Sequence, residues 1–190
     1  MKPEELENHS GGAQGADLEW DRIGREFGVT NHRHYRPSDL KNMTPVEKVM
    51  MLKDVEAAAK ALGRPTDFKG VELVHRNWFQ IMNGDAIFAI SRIIEPGETD
   101  FKGFMNNTGK QIVAGGTGWA VEMAIQKGKG VAVYDMNTDL WYFWDHNYNK
   151  FMSIDFIPTL TKAFAGIGSR QLTPNGIKAI RDVYKATFGL

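Results

Sequence analysis

The chain predicts a Rossmann-like, doubly wound α/β fold, a mostly parallel sheet of about five to seven strands with helices on both faces. Three observations carry that expectation. Helical periodicities alternate with short apolar runs along the chain, as they do in successive βα units. The runs at 85–91 (DAIFAIS) and 130–135 (GVAVYD) are nearly continuous in apolar and β-branched residues, the signature of strands buried on both faces. Three glycine-rich segments stand where a strand, or the chain start, hands over to a helix, which is where ligands sit in open α/β sheets.

Each element has its own warrant. A first helix is expected over 13–27, because Ala16, Trp20, Ile23 and Phe27 share one face and Gly28 stops it. The basic, aromatic stretch NHRHYRP at 31–37 reads as a sheet edge or pocket rim. His32 and His34 would face the same side of a strand, but no third ligand accompanies them, so no metal site is expected. A second helix opens at Thr44, with Pro45 in its first turn and Glu47 three residues after the cap, the pattern of a capping box. Its apolar stripe is Val49, Leu52, Val55, Ala59 and Leu62. A third helix covers 73–82 and leads into the strand at 85–91.

Residues 94–110 mix Gly, Pro, Asn and charge and read as one long loop, a form often used for lids. A helix over 117–127 precedes the strand at 130–135. The aromatic segment 140–145 is expected as a strand or hairpin arm, with Trp141, Tyr142 and Trp144 serving core or subunit interface in preference to base stacking. A strand at 164–167, a turn at 168–172 and a helix opened by Pro174 complete the pattern, with Ile177, Ile180, Tyr184 and Phe188 on one face. One place breaks it: no apolar run precedes Ser10. The chain is therefore expected to begin abruptly at the first glycine turn, or the sheet to lack a strand there.

The 190 residues suit a single domain spanning 1–190, able to bury roughly 70% of its unfolded surface without staples. The absence of cysteine excludes disulfides and thiolate zinc sites and fits a reducing compartment, so a cytoplasmic protein is expected. The opening residues are polar and no apolar run approaches the ~18 residues of a membrane span. Lys plus Arg and Asp plus Glu both number 23, which leaves no global field to draw the chain onto nucleic acid or acidic lipid. Near-zero charge and 11% aromatic content favour a homo-oligomer, a dimer or tetramer.

The candidate site residues lie in the glycine-rich segments: Ser10, Gly11, Gly12, Ala13, Gly15 and Asp17; Gly115, Gly116, Thr117 and Gly118; Gly166, Gly168, Ser169 and Arg170. Glycine lets a ligand approach backbone amides closely, and a helix start offers free N–H groups at a positive dipole end. Such turns suit a small phosphorylated ligand. The hydroxyls of Ser10, Thr117 and Ser169 suit helix caps or phosphate contacts, and Arg170 suits a phosphate. Asp17 suits a ribose hydroxyl or, slightly preferred, the helix dipole. None of the segments is a dinucleotide fingerprint or a P-loop.

The segments SGGAQGAD, GGTGWAVEMA and FAGIGSR resemble those of the SLOG superfamily, which includes DprA-like, LONELY GUY-like and YpsA-like proteins. Here SGGAQGAD opens the chain and FAGIGSR closes it, which is similar to the circularly permuted YpsA-like group, whose members are labelled molybdenum carriers. Gly115, Gly116, Gly118 and Glu122 are similar to the G-G-x-G-x-x-x-E part of the LONELY GUY signature, in which the glutamate assists cleavage of an N-glycosidic bond. His75, Arg76 and Asn77 loosely resemble the element that supplies its partner arginine. Proline before Gly115, threonine at Trp119 and lysine after the arginine are missing. The resemblance implies a bound nucleotide-derived molecule, ADP-ribose-like or a nucleoside phosphate, held by a sensor, carrier or sponge with no cofactor required. Its alternatives are a phosphoribohydrolase using Glu122 and Arg76, and a carrier of molybdenum cofactor.

Overall fold

The computed structural model describes all 190 residues. In chain order the elements are β1 (Glu7–Ser10), α1 (Ala16–Glu26), β2 (Asn31–His34), α2 (Pro45–Leu62), α3 (Val71–Asn83), β3 (Ala86–Ser91), β4 (Ile93–Ile94), β5 (Ile112–Val113), α4 (Gly115–Gln126), β6 (Gly130–Asp135), β7 (Leu140–Asp145), β8 (Lys150–Ile154), β9 (Ala163–Gly168) and α5 (Pro174–Phe188), with 3-10 turns at Pro3–Glu5 and Pro37–Asn42.

Seven strands form one sheet in the order β2-β1-β9-β3-β6-β7-β8. The pairs from β2 through β6 are parallel, and the β6–β7–β8 edge is an antiparallel meander. Helices cover both faces, which makes this the expected Rossmann-like α/β architecture. The core on one face joins α2, α3 and α4 to the sheet through Val55, Ile81, Ile87, Met123 and Val133. On the other face α1 and α5 pack Trp20, Ile23, Ile180 and Tyr184 against Phe88 and Phe164. No helix is long and apolar enough to cross a membrane.

The helix-cap signals in the sequence act as expected, whereas of the stripe expected on α2 Val49 and Leu52 are exposed and Met51 and Ala58 are buried instead. Thr44 accepts from Glu47 N at 3.2 Å while Glu47 Oε2 accepts from Thr44 N at 2.8 Å, and Pro174 follows the cap Thr173, whose hydroxyl accepts from Gly176 N at 3.0 Å. The first helix starts at Ala16 and not at residue 13, because Gly15 takes φ 100° and holds the preceding residues in a loop. The aromatic 140s segment is a hairpin with β8, and Trp141 and Trp144 are buried in the two cores. The long loop expected over 94–110 is present, closed at its base by two short strands. Ile93–Ile94 pair with Ile112–Val113 as a small antiparallel ladder, and residues 95–111 form the excursion between them.

The expectation at the chain start is overturned. Glu7–Ser10 is a strand paired with both β2 and β9, and Asn8, His9 and Ser10 are buried. Its sequence, ENHS, has no apolar signal because long-range partners satisfy its side chains. Asn8 Nδ2 donates to Asp21 at 2.8 Å and its Oδ1 accepts from Gly166 N at 2.9 Å, while His9 Nδ1 lies 2.9 Å from the Tyr35 hydroxyl. A buried polar strand is stable only when its groups are paired, and these are.

Candidate functional site

Parallel strands end together, so Ser10, Gly168, Ser91 and Asp135 bring their following turns to one edge of the sheet. Since β9 lies between β1 and β3, the turn from β1 to α1 and the turn from β9 to α5 touch. Ala16 N donates to Ser169 O at 2.9 Å, and a Cβ on Gly15 would lie 2.4 Å from Arg170 Cα. The chain's first and last glycine motifs are thus one structure.

Asp17 ties them. Its Oδ2 accepts from Gly11 N (3.2 Å) and Ala13 N (3.4 Å), and its Oδ1 accepts from Gly168 N (3.2 Å). Burial pushes its carboxyl up to about 6, against the pull of Arg76 and of those three amides. The side chain is therefore spent on the loops rather than on the α1 dipole. Several other predicted phosphate amides are likewise committed: Gly12 N to Ser10 Oγ (3.1 Å), Gly166 N to Asn8 and Ser169 N to Ile90 O (2.8 Å). Gly166 serves packing, since a Cβ there would meet Trp20 Cγ at 2.6 Å. What remains is a different set: the N–H groups of Gln14 and Gly15 at the start of α1, and those of Arg170 and Gln171 beyond β9, donate to no group in the chain.

Arg76, on α3, is buried against the first turn. Its guanidinium fills the space a side chain at Gly11 would need, with Nη1 1.6 Å from the position of that Cβ. With its amide oriented to suit its neighbours, Gln80 Oε1 accepts from Gly11 N at 2.8 Å and from Arg76 Nη1. No carboxylate forms an ion pair with Arg76, and its Nε, buried, has no partner. Burial draws its pKa down, Asp17 opposes this and Arg170 adds to it. A guanidinium keeps its charge in proteins, so this is a buried cation whose neighbouring carboxylate, Asp17, is spent on three amides and forms no ion pair with it. Arg170 is exposed beside it.

The second glycine turn stands one helix away. Arg64 Nη1 donates to Gly115 O (2.8 Å), Asn77 Nδ2 to Gly116 O (3.5 Å), and a Cβ on Gly118 would lie 2.0 Å from Val113 O. Asn77 neighbours Arg76 on α3, and Thr117, half-buried, lies in the first turn of α4. Glu122 is not with them. Both its oxygens are 2.8 Å from Lys110 Nζ, Oε1 also accepts from Gln126 at 3.1 Å, and its side chain is 5% exposed. No polar contact joins Glu122 to Arg76 or to the glycine turns.

Beside the first turn, residues of β2, the 3-10 turn, α2 and α3 border an open cleft of about 360 Å³ lined by Arg33, His34, Tyr35, Asp39, Asn42, Glu47 and Phe79. His34 borders Gly12, whose Cβ position lies 2.9 Å from its Nδ1. Its Nε2 contacts Asp21 Oδ2, while His32 Nδ1 lies 2.8 Å from Asp21 Oδ1. Burial would raise the Asp21 carboxyl, but the two imidazoles outweigh it and hold it below its ordinary value. The same-side placement of His32 and His34 is as expected, and no cluster of three or more metal-ligating side chains forms. Asp21, Gln80 and Phe79 carried no motif; the only sequence signal for Asp21 was two histidines at strand spacing in want of a partner. Comparison with protein-family models, curated proteins and solved structures finds no match to this chain.

Proposed function

We propose that the chain binds a small phosphorylated molecule, nucleotide-derived and ADP-ribose-like or a nucleoside phosphate, at the joined first and third glycine turns. The observation that carries this is Arg76, a buried guanidinium with an unpartnered Nε and no ion pair, set among helix-start amides. A buried charge left unpaired is costly, and a phosphate would satisfy it in the bidentate geometry that guanidinium favours. The free amides of Gln14, Gly15, Arg170 and Gln171, with the exposed Arg170 side chain, supply further donors. The SLOG resemblance supports the same reading, and with it the permuted order of motifs.

The test is to denature freshly purified protein, identify released small molecules by mass spectrometry, and titrate the native protein with phosphate, AMP and ADP-ribose by calorimetry. Saturable binding lost in Arg76→Met is expected. The absence of saturable binding to any phosphorylated compound overturns the proposal. A released pterin would assign the site to molybdenum cofactor, whose phosphate fits the same donors. Free base formed from AMP, and lost in Glu122→Gln, would make the protein a phosphoribohydrolase; the bond between Glu122 and Lys110 gives that reading no support.

A further inference from the structure

The two edges of the sheet differ in character. β2 carries Asn31, His32, Arg33 and His34, polar or charged throughout, whereas β8 (KFMSI), at the outer edge of the meander, is largely apolar. We infer that β8 is the contact surface for a second copy of this chain, the two β8 strands pairing antiparallel about a two-fold axis at Ser153. The inference stands apart from the phosphate-binding reading above.

The backbone edge of β8 is open at that residue. Opposed residues of an antiparallel ladder alternate between pairs that exchange hydrogen bonds and pairs that do not. Phe151 N donates outward, to Gln111 Oε1 at 2.8 Å, so Phe151 and Trp144 are a pair of the second kind, and so are Ser153 and Tyr142 two residues on. The N–H and C=O of Ser153 therefore point away from β7, and no strand lies beyond β8 to receive them. Such an edge is a template for another strand. Gln111 occupies the Phe151 amide and the chain bends at Asp155, which leaves the Ser153 N–H as the open donor between them. Facing its own copy, Ser153 exchanges both of its bonds.

The side chains on one face match the same arrangement. Met152 lies opposite Phe143 and so on the same face as it, and Phe143 packs edge-on against Phe156 at 5.8 Å. This is the face that α1 and α5 cover nearer the centre of the sheet. At the meander it is open: Met152 is 41% and Phe156 55% exposed. A two-fold axis perpendicular to the sheet keeps both copies the same way up, and pairing about Ser153 sets Met152 opposite the partner's Ile154 and Ile154 opposite the partner's Met152. Opposed apolar pairs of this kind are what stabilise a sheet.

Charge selects the occupant. Lys150 opens the strand and Asp155 follows its end; both are exposed, and neither is in a salt bridge. A strand positive at its start and negative at its end is complementary to its own antiparallel copy, with each Lys150 beside the partner's Asp155. A parallel copy would set lysine beside lysine. The contact is isologous, so it closes as a dimer, and a net charge of zero imposes no general repulsion between copies.

Sedimentation velocity of the full chain, from micromolar to sub-millimolar concentration, should show a species of twice the 21.3 kDa monomer growing with concentration. Ser153→Pro removes an N–H that bonds nothing within the chain, at an edge position where proline is tolerated. It should keep the parent's far-ultraviolet circular dichroism and stay monomeric. Lys150→Asp and Asp155→Lys should each weaken association by roughly threefold to tenfold, the scale of two exposed ion-pair contacts, and the two together should restore it. A chain that is monomeric at every concentration overturns the inference, as does a dimer that Ser153→Pro leaves intact or whose charge variants fail to rescue each other. Should Ser153→Pro not fold, amide exchange of the wild-type protein decides: the Ser153 N–H slows as concentration rises if the inference holds, and exchanges at one rate throughout if it fails.

Discussion

Replacing Gly11 by alanine probes the candidate site with a single methyl group. Its Cβ would lie 1.6 Å from Arg76 Nη1, 2.3 Å from Cζ and 2.4 Å from Nη2, so the guanidinium must leave its slot. The obstruction is the far end of a flexible side chain, so the backbone stays and the loss is one of charge and hydrogen bonding. The bond from Arg76 to Gln80 involves a charged donor and is worth about 1.5–3 kcal/mol. Asp17 also loses its countercharge, but a carboxyl at about 6 escapes by taking up a proton, which at pH 7 costs at most about 1.4 kcal/mol. The expected loss is therefore about 3 kcal/mol at pH 7 and about 2 kcal/mol at pH 5, where Asp17 is already largely protonated. For a domain of this size, about 3 kcal/mol lowers Tm by roughly 6–12 °C. Thermal unfolding at the two pH values, with phosphate titrations alongside, measures all of this. Gly116→Ala is the control, since its added Cβ meets nothing within 4 Å. A Gly11→Ala protein melting within about 1 °C of the parent, with phosphate affinity unchanged, would refute the placement of Arg76.

Asp17 also predicts a pH profile. Its folded value lies above its unfolded one, so the native state holds the proton longer and stability falls as pH rises from 3.8 to about 6, by about 3 kcal/mol, then levels off; urea titrations from pH 3.5 to 7 should lose this component in Asp17→Asn. Sulfate, whose charge is constant over the range, should bind more tightly as pH falls through about 6 because the charge beside Arg76 disappears, and a profile unaltered by Asp17→Asn would count against the assignment. Lys110→Met strands a buried carboxylate and should cost about 2 kcal/mol, allowing for the partial exposure of the lysine; adding Glu122→Gln should recover part of that in chemical denaturation, whereas simple additivity would mean the pair is uncoupled. Gly168→Ala drives a Cβ to 2.2 Å from Ile90 O and 2.7 Å from Ala16 Cβ, where backbone blocks relief, and should cost about 4 kcal/mol or more; a normal melting curve would contradict the tight meeting of β9, β3 and α1.

Much of this architecture was legible because its signals are local. Thr44, Pro45 and Glu47 mark a helix start among themselves, and the runs at 85–91 and 130–135 need only their own side chains to identify buried strands. The failure at ENHS has the opposite cause. Asn8 is satisfied by Asp21 and by Gly166, 158 residues away, and hydropathy has no access to a partner so distant. The glycine motifs are visible as a group, but not how their amides are used: the sequence suits Asp17 to a ribose hydroxyl or the helix dipole, and it occupies Gly11, Ala13 and Gly168 instead. Glu122 was singled out by motif and is held by Lys110, twelve residues earlier, a pairing that no periodicity announces. Arg76 was found by resemblance, and its want of an anion became visible only in three dimensions.

The place of β9 has a consequence for how the molecule comes into being. The last strand in chain order is the one inserted between β1 and β3, so without its pairing the sheet would be parted, with β1 and β2 on one side and β3 and β6 on the other. Such non-local closure is slow, because the chain must meet the entropy of a long loop before any pairing repays it. The proposed ligand cradle straddles that seam, one half contributed by the opening motif and one by the closing motif. A ligand seated there favours the joined state over the parted one by RT ln(1 + [L]/Kd), so the abundance of the ligand would set how much of the newly made chain is held shut.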